Sequence, residues 1–501
     1  MPVNRTLPRI CIAMGLPDVP TLLASARREA EAGETFLEFR LDFLDSPANG
    51  AAAIADFLRD FPDTFILATC RRHQNHGRFN GSIEEQLAIL ELAITSGAQA
   101  IDVEIETAEA CEERVAQFRG RALVVVSYHN FEATPPMDTV VGRVLRVRAD
   151  VYKLVTTARK PSDNVRVLAA ARGLPRQKLV VLAMGDLGFP TRVLSPVFGG
   201  CFTYASPMAT EGTASGQATA RVLRVLYQVE KLPKTAKIYG VIADPIRHSI
   251  SPAVLNRAFQ ARRIDAVYLP FLVTPTYLRD FFSLASKLPL AGFSVTIPHK
   301  QKIVRYLDVV EPLAKRIGAV NTVWRKAGKW RGTNTDVAGI TLPLGRLLRL
   351  AKSSVLVVGN GGAARGAAFA LSDAGAKLAI TGRNPDRVRA LAKICAAEPL
   401  LRDQLNGRKF DVVVHATPLG IYPHVNECFF DGAIPGEVVF DMVYNPMETL
   451  LVQRAREQGK TVIHGLEMFV EQAVRQFELW TGETAPRPAM LKAAMEALEH
   501  K

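Results

Sequence analysis

Val355-Leu-Val-Val-Gly-Asn-Gly-Gly-Ala-Ala-Arg365, followed by an Ala-rich stretch and a second apolar run from Leu378 to Thr381, decides how the chain is read. A β-rich run ends in a glycine cluster, a helix former follows, and another strand pattern closes the unit. Strand, turn, helix, strand is the order of a dinucleotide fold. Gly359 permits the sharp turn, Gly361 and Gly362 let backbone N–H groups approach a pyrophosphate, and the small Ala363 and Ala364 let the helix lie near its strand. At the end of the second strand stands Thr381-Gly-Arg-Asn-Pro-Asp-Arg387. A reader of a ribose 2′-hydroxyl would be acidic there, whereas arginines suit a 2′-phosphate. Arg383, Asn384 and Arg387 therefore point to NADP over NAD.

Working outward, 501 residues exceed one ordinary core and imply two to four domains. With 48% hydrophobic and 22% charged residues the composition is that of a soluble globular protein, and no apolar run approaches the ~20 residues of a membrane span. The first strand pattern, Arg9 to Met14, starts too early for a signal or transit peptide, and six scattered cysteines without a CxxC argue for free thiols in a reducing cytoplasm and against zinc. The net charge of +13 is uneven. Residues 1–236 carry 27 Lys+Arg against 26 Asp+Glu, and 237–501 carry 35 against 23. The excess lies with the nucleotide loop, where anionic ligands bind. No helix-turn-helix, RNP or zinc-finger pattern accompanies it, which excludes nucleic acid as the expected partner. Nothing in the sequence speaks to oligomeric state.

The front half shows eight short apolar runs, at 9–14, 36–41, 65–69, 100–105, 122–128, 151–155, 178–184 and 201–205. Amphipathic stretches separate them, among them Pro20 to Ala32, Ile83 to Thr95 and Asp163 to Arg172. Eight such repeats in roughly 220 residues suit a (β/α)8 barrel, with a doubly wound sheet as the alternative. In a barrel, chemistry belongs at the carboxyl ends of the strands. There the sequence places Glu38, Arg40, Arg71, Asp102, Glu104, His129, Lys153 and Arg192. Asp102 and Glu104 read equally as interior partners of Arg40 or Arg71. Lys153, alone in an apolar run, is expected to sit among arginines that disfavour its ammonium form and so to supply a free amine to a carbonyl.

Glu-Phe-Arg-Leu-Asp (38–42), Thr-Cys-Arg (69–71), Ile-Asp-Val-Glu (101–104), Val-Ser-Tyr-His-Asn-Phe (126–131), Lys153 and the Met184 to Arg192 stretch together resemble a type I 3-dehydroquinate dehydratase over most of 9–230. The resemblance implies that Lys153 forms an imine with the substrate ketone and that His129 moves the C2 proton to the departing hydroxyl. It further implies that Glu38, Arg40, Arg71, Arg192, Thr213 and Gln217 contact substrate, with Ser206 to Gln217 as a mobile lid. One departure stands out. Where the family has an acidic residue that orients the histidine, this chain has Asn75, so a less basic His129 and a slower dehydratase are expected.

Lys231 to Lys237 reads as a linker. Beyond a strand at Ile238, Ser249 and Ser251 precede a helix from about Ala253, with Ser251 as N-cap and Pro252 at N1. Hydroxyls at a helix start also suit a carboxylate. Turn-rich segments then carry Thr296, Lys300, Asn321 and Asp336, and a lysine and an aspartate in one cleft suit a proton donor and its electrostatic partner. A surface salt bridge is the plainer alternative.

Ser-x-Ser-Pro (249–252), Ser-Val-Thr-x-Pro-x-Lys (294–300), Gly-Ala-Val-Asn-Thr (318–322), Gly-Thr-Asn-Thr-Asp (332–336), the glycine loop, Asp-Met-Val-Tyr-Asn-Pro (441–446) and Glu-Met-Phe-Val-x-Gln-Ala (467–473) in this order resemble shikimate dehydrogenase from 238 to about 496. The resemblance implies that Ser249, Ser251, Thr296, Asn321, Asp336, Tyr444 and Gln472 hold shikimate and that Lys300 and Asp336 are catalytic. Thr417, Met442 and Gly465 join the loop residues at NADP. Ser294, Gly382 and His415 each stand where the family commonly has Asn. The expected architecture is a (β/α)8 barrel (1–230), a linker (231–237), a shikimate-binding domain (238–340, completed by 466–501) and a Rossmann-type NADP domain (341–465). The expected function is a cytoplasmic enzyme with two successive activities and small-molecule partners. A catabolic NAD-linked quinate or shikimate oxidoreductase, or a barrel turned to ligand sensing, are the rival readings.

Overall fold

The computed structural model describes residues 7–174, 177–208, 212–247 and 249–499. β1 (Ile10–Met14), β2 (Phe36–Arg40), β3 (Phe65–Thr69), β4 (Ala100–Glu104), β5 (Leu123–His129), β6 (Val151–Thr157), β7 (Leu179–Met184) and β8 (Thr203–Ala205) fall on the eight expected runs. They lie in the order β7-β6-β5-β4-β3-β2-β1-β8, and every ladder is parallel. Because β8, the last strand, pairs with β1, the first, the sheet curls on itself. The remaining seam is crossed by a hydrogen bond from the Cys201 N–H to the Leu179 carbonyl at 2.7 Å. This is a nearly closed (β/α)8 barrel, and the doubly wound alternative is set aside for the front half.

Two of the helices between the strands begin where a side chain satisfies a first-turn N–H group. Asp18 accepts from the Thr21 N–H at 2.8 Å, and Ser82 with Glu85 makes a reciprocal capping box before helix Ile83–Thr95. Inside the barrel, Phe36, Leu67, Ala100, Val125 and Val151 pack in one buried cluster. Two residues further along the same strands stand Glu38, Thr69, Asp102, Ser127 and Lys153, also buried. The period of two puts each pair on one face, so an apolar layer floors a polar layer at the carboxyl end.

A second, mixed sheet follows, built from β9 (Lys237–Ala243), β10 (Ala266–Leu272), β11 (Leu290–Val295), β12 (Val309–Val310), β13 (Thr322–Lys326) and β14 (Lys329–Thr333). Its order is β10-β9-β11-β13-β14-β12, with β11 parallel to β9 and antiparallel to β13. The third sheet holds β15 (Ser354–Val358), β16 (Lys377–Thr381), β17 (Glu398–Pro399), β18 (Phe410–His415), β19 (Gly436–Asp441) and β20 (Thr461–His464). It is parallel, in the order β17-β16-β15-β18-β19-β20, which is the doubly wound dinucleotide order with its reversal between β15 and β18. Val355 and Val357 join one buried cluster and Leu356 and Val358 another. Burial on both faces is why this strand reads as a continuous apolar run.

Helix Gly465–Thr481 returns to the second sheet, where the Trp480 indole donates to the Val323 carbonyl at 3.1 Å. A Cβ on Gly292 would stand 2.7 Å from that indole nitrogen, so only glycine fits there. One expectation is corrected. The helix after β9 begins at Ser251 itself with Ile250 at the N-cap, so Ser251 does not cap it, and the Ser251 N–H meets the Ser249 hydroxyl at 3.3 Å. By contacts the chain divides into two compact units, Met1–Lys237 with Phe271–Pro289, and Ile238–Pro270 with Leu290–Lys501. No described helix is long and apolar enough to cross a membrane.

Candidate active sites

In the barrel, the polar layer is one connected network. Lys153 Nζ lies 2.9 Å from Asp102 Oδ2, 3.5 Å from Glu38 Oε1 and 4.1 Å above the Tyr204 ring. The other Asp102 oxygen accepts from Arg71 at 3.1 Å and from the Ser127 hydroxyl at 2.6 Å. Arg71 also reaches His129 Nε2 at 3.1 Å. A guanidinium only donates, so Nε2 accepts and the neutral ring carries its proton on Nδ1. Thr69 donates to Glu38 at 2.7 Å. The open question about the strand-four acids is thus answered. Asp102 serves Arg71 and Lys153, while Glu104 accepts from the Arg72 N–H at 2.8 Å and from Gln86 at 2.5 Å. Arg40 is held by Asp42 through two bonds of 2.9 and 2.8 Å.

The expectation for Lys153 needs correction, because its nearest charges are carboxylates, not arginines. The reason is register: Ser127 and Lys153 are paired across β5 and β6, and Asp102 stands in the same polar layer. Burial, Arg71 and Lys153 together push the His129 imidazole well below its ordinary range. Burial alone would raise the Asp102 carboxyl, but Lys153 and then Arg71 hold it well below the usual carboxylate range. Burial raises Glu104.

Arg192 is 2% exposed. Among the described residues it has no carboxylate partner, one nitrogen donates to the Ser215 carbonyl at 3.1 Å, and its Nε is unpartnered. Burial draws the guanidinium down to about 10. Leaving a buried charge uncompensated costs about 3–5 kcal/mol, a cost that a bound anion would offset. Ser215 belongs to the expected lid, of which 209–211 fall outside the described residues. Gln217 uses its amide oxygen on the N–H groups of Thr213 and Ala214 at 2.7 and 3.2 Å, and Thr213 packs where a Cβ on Gly15 would stand. Asn75 also departs from expectation. Its amide reaches Glu106 at 3.3 Å, and the only side chain hydrogen-bonded to His129 among the described residues is Arg71. Asn75, Glu104, Glu106, Ser127 and His129 share the lining of a cavity of about 270 Å³.

In the second unit, Lys300 Nζ lies 2.7 Å from Asp336 Oδ2, the lysine side chain 17% and the aspartate 4% exposed. Asn321 donates to the other Asp336 oxygen at 2.7 Å and to Thr335 at 3.1 Å, and is 3.5 Å from Gln472. Behind them runs a buried chain of hydroxyls and amides. Tyr268 donates to Ser294 at 2.6 Å, Ser294 to Gln476 at 2.8 Å, and Gln476 to Thr322 at 3.1 Å. Burial raises the Tyr268 hydroxyl. Tyr444 packs on Phe469 at 4.8 Å, and burial pushes it up to about 12. Of the expected shikimate residues, Asn321, Asp336 and Gln472 are brought together here and Ser249 meets Ser251, whereas Thr296 makes no side-chain hydrogen bond among the described residues and its N–H meets the Ile242 carbonyl at 3.2 Å. Tyr268 and Gln476 were missed. Gln476 lies one helical turn from Gln472, a signal that was present; nothing in the sequence marks Tyr268.

The nucleotide loop meets this site directly. A Cβ on Gly362 would stand 3.7 Å from the Lys300 Cβ, and one on Gly366 3.8 Å from the Asp336 Cβ. Gly359 has φ +132°, and a Cβ there would press within 2.8 Å of the Ala416 carbonyl; at Gly361 there is open space. Ala363 opens the helix at its second residue and Ala364 is buried beneath it. Arg383 and Arg387 are exposed and make no ion pair among the described residues, and Asn384 caps the next helix through the Arg387 N–H at 3.0 Å. Gly465 leaves no room for a Cβ, which would lie 2.7 Å from the Met442 carbonyl carbon. An open glycine cradle beside unpaired arginines fits a 2′-phosphorylated dinucleotide.

Four family models match successive parts of the chain. The type I 3-dehydroquinase model matches residues 10–233, the shikimate dehydrogenase substrate-binding domain 241–323, the shikimate/quinate 5-dehydrogenase model 344–420, and the shikimate 5′-dehydrogenase C-terminal domain 465–495. The bifunctional 3-dehydroquinate dehydratase/shikimate dehydrogenase of Arabidopsis thaliana is 34% identical over 505 residues, covering 95% of this chain and 83% of its own. The chain belongs to the bifunctional 3-dehydroquinate dehydratase/shikimate dehydrogenase family. It is both a lyase and an NADP-dependent oxidoreductase, converting 3-dehydroquinate to 3-dehydroshikimate and reducing that ketone to shikimate with NADPH. The NADP(+)-dependent shikimate dehydrogenase of Maridesulfovibrio salexigens is 38% identical over 253 residues, 50% of this chain and 93% of that one. A crystal structure of shikimate dehydrogenase in complex with NADP+ superposes with TM-score 0.50 at 33% identity, covering 53% of this chain and 97% of that one.

Proposed function

We propose that the two reactions run on the two lysine networks just described. In the barrel, the Lys153 amine adds to the substrate ketone and water leaves to give the imine. His129 takes the C2 proton and returns it as the C1 hydroxyl departs as water, and hydrolysis of the imine frees the enone. Arg192 receives the substrate carboxylate, and Glu38 and Arg71 keep lysine and histidine in register through Asp102. The observation that carries this reading is the single bridge Lys153–Asp102–Arg71–His129, which runs from the buried lysine to a half-buried imidazole two residues nearer the strand end than its layer. The test is borohydride added with 3-dehydroquinate, followed by peptide mass analysis. An adduct on Lys153 supports the reading, and one elsewhere sinks it.

In the second unit, NADPH supplies the hydride when bound. Gly359, Gly361, Gly362, Arg383 and Arg387 would hold it. Lys300 gives a proton to the carbonyl oxygen, Asp336 holds the lysine in place, and Asn321 aims Asp336. Ser249 and Ser251, at a helix start, receive the carboxylate of the ring. A short tether between the two activities raises the chance that one product meets the next site. The six thiols are all free, which supports a reducing cytoplasm.

A further inference from the structure

We infer that His415 and Asp441 are a positioning pair that fixes the Thr417 hydroxyl as a hydrogen-bond acceptor for a donor on the nicotinamide half of the cofactor. The inference rests on reading the second unit as the NADPH-dependent reductase. His415 ends β18 and Asp441 ends β19, and the two are register partners, 1% and 0% exposed. Asp441 Oδ1 accepts from His415 Nδ1 at 2.9 Å and from the Val443 N–H at 3.0 Å; Oδ2 accepts from Thr449 at 2.5 Å. A carboxylate only accepts, so Nδ1 donates, and in the neutral ring Nε2 must accept. The group at Nε2 is the Thr417 hydroxyl, at 2.5 Å.

The hydroxyl's single hydrogen is thereby committed to His415. One of its two lone pairs takes the Leu419 N–H at 3.2 Å. What remains on Thr417, which is half-buried, is one acceptor site. Its place is set by the sheet. β18 joins β15 where the strand order reverses, and the turn after β18 supplies the carbonyl of Ala416 against which Gly359 packs. In such sheets the ligand lies in that crevice, with its adenosine half over the end of the second strand, here β16. The nicotinamide half then falls on the β18 side, beside Lys300. Its hydrogen-bond donors are the carboxamide N–H2 and the ribose hydroxyls.

Fluorescence titration of the full chain with NADPH reads binding whether or not turnover occurs. His415→Leu is expected to weaken NADPH about tenfold, Thr417→Val by a similar factor, and the double variant no more than Thr417→Val alone. His415→Gln, whose amide oxygen can still accept from Thr417, should recover most of the loss. Additive losses, or a His415→Leu chain with a lowered Tm but unchanged NADPH affinity, would mean the pair only staples two strand ends and would overturn the inference. The 3-acetylpyridine analogue of NADP+, which lacks the carboxamide N–H, separates the donors. If its deficit relative to NADP+ disappears in Thr417→Val, the carboxamide is the donor; if NADP+ and analogue fall alike, a ribose hydroxyl is. A wild-type chain that binds NADPH yet fails to reduce 3-dehydroshikimate would sink the reductase reading separately.

Discussion

Lys153 and Lys300 are both ion-paired, yet their surroundings differ in the way the tasks proposed for them require. Lys153 is 6% exposed, lies inside a parallel barrel and touches two carboxylates and an aromatic face. Lys300 is 17% exposed and touches one aspartate beside the glycine loop. The lysine proposed to form and release a covalent bond is enclosed, with its proposed base held through Arg71. A proton donor needs only one orienting partner and a route to replace its proton. The enclosed network is therefore the more brittle of the two, because each of its members holds another.

That contrast is open to attack, beginning with the largest effect. Lys153→Ala should lower the dehydratase kcat by about 10⁴-fold or more, while NADP-linked shikimate oxidation by the same chain stays within about twofold; a loss in both would erase the independence of the two networks. Lys300→Ala is expected to cost the reductase about 10²–10³-fold in kcat with dehydration unchanged, measured by following dehydroshikimate with and without NADPH. Arg383→Ala with Arg387→Ala should raise KM for NADPH by about tenfold and leave NADH nearly unaffected. A pH profile sharpens the comparison further. Because burial, Arg71 and Lys153 depress His129, its base form persists as pH falls through 6.5, so the acid limb of the dehydratase kcat/KM should lie below that value; a limb near 7 would contradict the geometry. The smallest effect is expected at Asn75→Ala, about threefold or less in dehydratase kcat, since its amide faces Glu106 and not His129.

Eight strands of the front half were legible as apolar runs of the right spacing, and the nucleotide unit as a run of glycines, because local backbone chemistry announces both. The polar strand ends were legible too, Glu38, Asp102 and Lys153 among them, while their alignment in one inward layer came with the structure. What escaped was pairing. Asp102 read equally as partner to Arg40 or Arg71, Asn75 was assigned to His129, and Ser251 was given the N-cap position that Ile250 holds. His415 registered only as an oddity in its motif, and its meaning came with Asp441, 26 residues away.

By itself, then, the chain's sequence determined which segments become strands and turns, which activities they encode and which residue types carry the chemistry, because periodicity and motif spacing are local properties. Only the tertiary structure decided who touches whom: that carboxylates rather than arginines flank Lys153, that Arg192 is buried without a counter-ion, and that Tyr268, Ser294 and Gln476 back the reductase site. The physical reason is that hydrogen bonds and ion pairs reach only about 3 Å, and strand register and helix packing alone bring distant residues within that range.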